Sequence, residues 1–171
     1  MENELMKMGM FVKDIVTGFE GFVVGKIYWM FGCENYLVQS SKAEAGKDAL
    51  ISLKSMIPLS EKRLEIDAEK RNTNLEMEFI RPNLERYFGM KCRDKVSGFE
   101  GVCIGCTTSM YGSDQYALET KAKKNKSGKV GWFDEGRIEI ISKEISMQEV
   151  TGSKSGGCDY IPPKPPIPEV A

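Results

Sequence analysis

The chain has 171 residues, 41% of them hydrophobic, with a formal net charge of −1 and no histidine. The missing histidine excludes Ser-His and Cys-His nucleophile pairs, histidine general bases and histidine metal ligands together. Its 24 Lys and Arg are interleaved with 25 Asp and Glu, which argues against the basic surface a nucleic-acid partner requires.

Five cysteines, an odd number, fit reduced thiols in a reducing compartment better than a disulfide framework. No long apolar run spans a membrane, and Met1-Glu2-Asn3-Glu4 lacks the basic start and apolar core of a signal peptide. The expectation is a protein kept in a cytosol.

In chain order, the first informative stretch is Lys13-Asp14-Ile15-Val16-Thr17-Gly18-Phe19-Glu20-Gly21. It returns as Arg93-Asp94-Lys95-Val96-Ser97-Gly98-Phe99-Glu100-Gly101. At an offset of 80 the match runs without gaps from residues 9–39 to 89–119, keeping Met30/Met110, Gly32/Gly112 and Tyr36/Tyr116. After a loop of different length it resumes as Glu61-Lys62-Arg63-Leu64-Glu65-Ile66 against Glu135-Gly136-Arg137-Ile138-Glu139-Ile140. The repeat predicts two small units, each with a small core.

Within copy 1, alternating and β-branched patterns predict strands over residues 11–16, 22–29, 35–39, 49–53 and 63–66. Gly18-Phe19-Glu20-Gly21 is read as the hairpin turn between the first two. Copy 2 repeats the pattern over 91–96, 102–107, 115–119, 130–133 and 137–141. Five short strands per unit predict an all-β chain of two tandem β-barrels, 9–67 and 89–141, joined by a connector at 68–88. In that connector Thr73-Asn74-Leu75-Glu76 matches a capping box, yet Leu75, Met77 and Phe79 alternate like a strand. Pro82 suits the opening of a last helical turn that Gly89 closes. Residues 142–171 form a C-terminal arm, with a short helical segment after Ile141 and then a proline-rich end that favours extended polyproline II.

Turn geometry explains Gly18, Gly21, Gly98 and Gly101 as structural residues, but it requires neither Phe19 and Glu20 nor Phe99 and Glu100, which are candidate binding residues. With the turn centred between Phe19 and Glu20, Asp14 would pair with Gly25, Val12 with Ile27 and Asp94 with Gly105. That register puts Asp14 and Asp94 inward, Asp14 beside Val12, Val16 and Val23. An inward carboxylate needs donors, and backbone N–H groups of a neighbouring loop are the structural solution.

Trp132-Phe133-Asp134-Glu135 closes copy 2, whereas copy 1 reads Pro58-Leu59-Ser60-Glu61. Trp132, Tyr116, Asp134 and Glu135 are therefore candidates for a site present only in copy 2, with Trp132 equally suited to a core. Cys103-Ile104-Gly105-Cys106 lacks the second ligand pair of a zinc site, and a regular strand would send its two sulfurs to opposite faces. No metal and no cofactor is predicted. Five lysines within 121–129 read as a solvated hairpin tip.

At these two motifs the chain resembles a family of small tailed-bacteriophage proteins. Their pattern is a basic-Asp-x-Val-Thr-Gly-Phe-x-Gly turn, a Gly-x-x-x-Tyr run and a Trp-Phe-Asp-Glu ending. Residues 93–101, Tyr116 and 132–137 match it most fully, and copy 1 departs by lacking the Trp-Phe-Asp part. The strand layout is also similar to SH3-like and KOW-type barrels. The tandem layout, the C-terminal arm and this resemblance together lead to the expectation of a non-enzymatic virion or assembly protein (a decoration, connector or tail-associated component) found in the virion or in the host cytoplasm during infection. Its partners would be other phage structural proteins or further copies of itself, with Phe19, Phe99 and Trp132 as anchors. The alternative is a soluble phage protein that captures a small ligand, such as a defence signalling nucleotide, around Trp132. A KOW-like RNA-binding role is opposed by the charge balance, and no carboxylate spacing specifies acid-base catalysis.

Overall fold

A computed structural model describes residues 5–32, 34–40, 56–121 and 128–145. Ten strands dominate it: β1 Phe11–Asp14, β2 Glu20–Trp29, β3 Glu34–Ser40, β4 Met56–Ser60, β5 Leu64–Ile66, β6 Met90–Asp94, β7 Glu100–Ser109, β8 Gly112–Glu119, β9 Val130–Asp134 and β10 Ile138–Lys143. The α-helix among the described residues is the single turn α1, Leu84–Tyr87. The chain is all-β. Among the described residues no helix is long and apolar enough to cross a membrane.

The described residues fall into two compact units, 5–27 with 34–40, 56–80 and 109–111, and 28–32 with 81–108, 112–121 and 128–145. In the first, strand pairing follows the order β5, β1, β2, β3, β4, and in the second the order β10, β6, β7, β8, β9. Both paths are open: among the described residues β4 does not pair with β5, nor β9 with β10. Among the described residues neither path closes into a barrel by hydrogen bonding. A one-turn 3-10 helix, Glu61–Arg63 or Glu135–Arg137, follows β4 or β9 directly and turns the chain out of the ladder before β5 or β10 begins.

Each unit has its own core. Met10, Val12, Val23, Tyr36, Val38 and Leu59 cluster in the first, and Tyr28, Met30, Cys92, Cys103, Cys106, Tyr116 and Leu118 in the second, with Leu84, Tyr87 and Phe88 from the α1 turn packed on them. The connector makes a turn and then an extended segment, but the cap is Asn72 and not Thr73, and Leu75 lies in the turn and not in a strand. Thr73–Leu75 is a 3-10 turn whose first N–H groups are capped by Asn72, which accepts from Asn74, and the chain then runs extended so that Met77 bridges Met8. Gly89, at φ 75°, ends the α1 turn as its position after Pro82 predicts. The strand expected at 49–53, the lysine-rich tip at 122–127 and the arm beyond residue 145 lie outside the described residues, whereas β10 continues past Ile141 as strand.

Candidate functional site

Two carboxylates, Asp14 and Asp94, are fully buried at equivalent places in the two units. Both stand at the end of a strand whose alternation sends them inward: in β1 Phe11, Val12 and Asp14 are buried while Lys13 is exposed. The turn beside them is earlier than the sequence predicted. The observed pairs are Phe11 with Phe22, Val12 with Gly21 and Lys13 with Glu20, and in the second unit Lys91 with Val102, Cys92 with Gly101 and Arg93 with Glu100.

The chain reverses over Ile15, Val16, Thr17 and Gly18. The Gly18 N–H donates to the Asp14 carbonyl at 2.8 Å and the Asp14 N–H to the Phe19 carbonyl at 2.7 Å, and Gly98, Asp94 and Phe99 repeat both bonds at 2.9 and 2.8 Å. Gly18 and Gly98 take φ 71°, a left-handed conformation that closes the turn. The partner of Val12 moves from Ile27 to Gly21, an even shift, so Asp14 keeps its inward face although the register is corrected. Val16, expected to face inward, lies in the turn and is 69% exposed. Gly21 and Gly101 serve close packing instead of the turn: a Cβ there would sit 1.9 Å from the Gln39 carbonyl oxygen and 2.7 Å from that of Glu119.

The donors to the buried carboxylates are only partly the backbone groups the sequence predicted. Val16 and Thr17 N–H reach Asp14 at 3.3 Å, and the Thr17 hydroxyl also donates to it. The principal partner is Arg63, whose Nε and Nη2 donate to the two Asp14 oxygens at 3.0 and 2.5 Å. In the second unit Arg137 makes the same fork on Asp94 at 2.8 and 2.6 Å, with the Ser97 N–H at 2.8 Å and its hydroxyl at 2.5 Å. Burial alone would raise the Asp14 pKa, but the bonds from Arg63, Thr17 and Val16 bring it down to about 2. For Asp94 the Arg137 hydrogen bond outweighs burial and, with the Ser97 bonds, holds the carboxyl well below the usual carboxylate range. These two Asp-Arg clasps fix the hairpin turn to the 3-10 turn of the same unit. Arg63 and Arg137 were missed as site residues, although the aligned Glu-x-Arg segments carry them in both copies.

The remaining candidates separate. Phe19 is half-buried on the first core, and Phe99 lies on the second with its ring 5.2 Å from Phe133. Glu20 pairs with Lys70 at 2.8 Å, and Glu100 with Arg93 at 2.6 Å and Lys91 at 3.1 Å. Trp132 and Tyr116 do not form one pocket. Tyr116 pairs with Phe133 and Ala117 with Trp132, so the two rings project from opposite faces of the β8–β9 ladder. Trp132 is 6% exposed and packs edge-on to Trp29 at 5.8 Å, with its Nε1 lacking a hydrogen-bond partner among the described residues. Asp134 accepts from Gln115 Nε2 at 3.0 Å and from the Ser113 hydroxyl at 3.4 Å.

Tyr116 does share a corner with Glu135. The Tyr116 ring lies 4.4 Å from Tyr87, and the Tyr87 hydroxyl donates to Glu135 Oε1 at 3.2 Å. Asp114 belongs to the same corner: burial, and then the charge of Glu135, raise its pKa. Neither Tyr87 nor Asp114 was singled out in the sequence.

Cys103 and Cys106 are both fully buried in the second core. The reason is that β7 alternates only up to Cys103 and is covered on both sides from there to Thr108. Burial pushes both thiols up, which suppresses the thiolate that metal binding or redox exchange needs. Among the described residues no cluster of metal-ligating side chains is present. In comparisons with known proteins, no family model matches the chain, and neither a curated protein nor a solved structure matches it significantly.

Proposed function

We propose that the protein is a non-enzymatic component of a bacteriophage virion or of its assembly, and that each unit is a small SH3-like barrel. The barrel reading is supported by the strand order β5, β1, β2, β3, β4 with a 3-10 turn leading into β5, repeated in the second unit. The observation that carries the binding reading is the contrast at the two clasps. Their polar groups are engaged internally, while the turns they hold present apolar side chains outward: Val16 is 69% exposed and its counterpart Val96 76%, with Ile15 at 60% beside Val16. A rigid turn with an apolar tip is suited to docking on a neighbouring chain.

Other phage structural proteins, or a second copy, are the partners this reading implies, with the proline-rich arm as a further contact. The anchors move accordingly. Phe19, Phe99 and Trp132 contribute to the cores, and the tips at Val16 and Val96 take their place as contact residues. Capture of a nucleotide around Trp132 has less support, because the indole packs against Trp29 and the nearby carboxylates repel phosphate. Mass spectrometry of purified particles beside the soluble fraction of infected cells tests the proposal. An integral copy number per particle is expected; confinement to the soluble fraction would refute it.

A further inference from the structure

The two copies differ in charge at one corner. In the first unit Lys26 places its ammonium 2.5 Å from Glu34 and 5.0 Å from the centre of the Tyr36 ring, with Phe79 at 5.9 Å. Glu61 acts on the same tyrosine. The corner therefore holds a cation between a carboxylate and aromatic faces, with a second carboxylate nearby.

In the second unit the offset of 80 puts Asp114 at the place of Glu34 and Tyr116 at that of Tyr36, and the aligned 3-10 turn puts Glu135 at that of Glu61. Tyr87 covers Tyr116 as Phe79 covers Tyr36, each ring pair within 6 Å, at 4.4 and 5.7 Å. The lysine alone is missing: its position is Cys106. Asp114 shares a face of β8 with Tyr116 and, just past the Gln115–Asp134 pair that ends the ladder, adjoins Glu135, so the two carboxylates stand together at the corner where the first unit keeps its ammonium. Among the described residues the Asp114 side chain has neither a hydrogen bond nor an ion pair, and the Glu135 side chain has only the Tyr87 hydroxyl. Of the other charges nearby, two are committed elsewhere and one cation borders the corner. Arg137 holds Asp94, Asp134 is engaged by Gln115 and Ser113, and exposed Arg86 lies 5.2 Å from the Tyr87 ring centre.

We propose that the corner formed by Asp114, Glu135, Tyr116 and Tyr87 binds a primary ammonium, the side chain of a lysine presented by a partner polypeptide, in the place Lys26 fills in the first unit. The second unit thereby accepts from outside the cation that the first supplies to itself. This deepens the binding reading above by naming what a partner must offer. It does not depend on whether that partner is in a virion, because the corner can be probed on the isolated chain.

The probe is N-acetyl-lysine methylamide, titrated into the full chain and followed by backbone amide shifts in NMR, with the side-chain-acetylated compound as the uncharged control. Saturable shifts centred on Asp114, Tyr116 and Glu135 are expected, at an affinity on the order of millimolar for one charged group. The control should leave them in place, and Asp114→Asn should weaken binding about tenfold. Two further variants keep the test independent of one substitution. Cys106→Lys supplies the cation internally and should abolish the response; Lys26→Met opens the first corner and should create a response at Glu34 and Tyr36. Equal shifts from the uncharged control, an unchanged response in Asp114→Asn, or preferential binding of calcium over the lysine probe would each overturn the proposal. Such a failure would leave particle association to be decided by mass spectrometry on its own.

Discussion

Asp14 and Asp94 meet their arginines across 49 and 43 residues of chain, so each clasp ties the hairpin turn near the start of a unit to the 3-10 turn near its end. A buried carboxylate left without its cation is costly, so Arg137→Ala should destabilise the second unit by about 3 kcal/mol, read as a lower urea midpoint. Asp94→Asn combined with Arg137→Ala should cost less than the sum of the two single changes. The pH dependence has a defined sign. Folding holds both pKa values below the ordinary 3.8, so the clasps contribute their full stabilisation above that pH. For Asp14 it is lost as pH falls through about 2, and for Asp94 too the loss comes on the acid side of 3.8. The inward carboxylates were legible from the period of two in β1 and β6. Their arginines were not, because a contact across more than 40 residues leaves no local pattern, and only the alignment of the copies carried the signal.

At the scale of elements, β7 illustrates where periodicity fails. Alternation predicts one buried face, but from Cys103 onward the strand is covered on both sides, and both cysteines enter the core. Gly105 lies within this stretch, where an added Cβ would stand 2.7 Å from the Trp29 ring. Gly105→Ala should therefore cost about 1–3 kcal/mol, through displacement of the indole, and quench or shift Trp fluorescence. A Gly18→Ala change acts differently, through backbone strain at φ 71° instead of a collision. The sequence reading places each hairpin turn three residues late, because it makes glycine the last residue of a turn beginning at Gly18. The carboxylate of Asp14, accepting the N–H groups of Val16 and Thr17, starts the reversal sooner. Short polar side chains that cap their own turn are the signal that decides such boundaries.

At the scale of the molecule, duplication was the feature most fully legible in the sequence, because identical turn residues recur at one offset. The difference between the copies was legible only in part. The Trp-Phe-Asp-Glu ending drew notice as aromatic and acidic, yet its tryptophan and Tyr116 project from opposite faces of the ladder, and the consequential change is the quieter one from Lys26 to Cys106. One unit thus balances its corner internally while the other leaves two carboxylates together. Asp14 and Asp94 are held by arginine, whereas Asp114 is held by none among the described residues. Carbon-detected NMR titration of the aspartate carboxyls in the full chain tests this division in one experiment. Asp14 should titrate at about 2, Asp94 below the usual carboxylate range, and Asp114 above 3.8. Midpoints for Asp14 and Asp94 at or above that of Asp114 would contradict both the clasps and the open acidic corner.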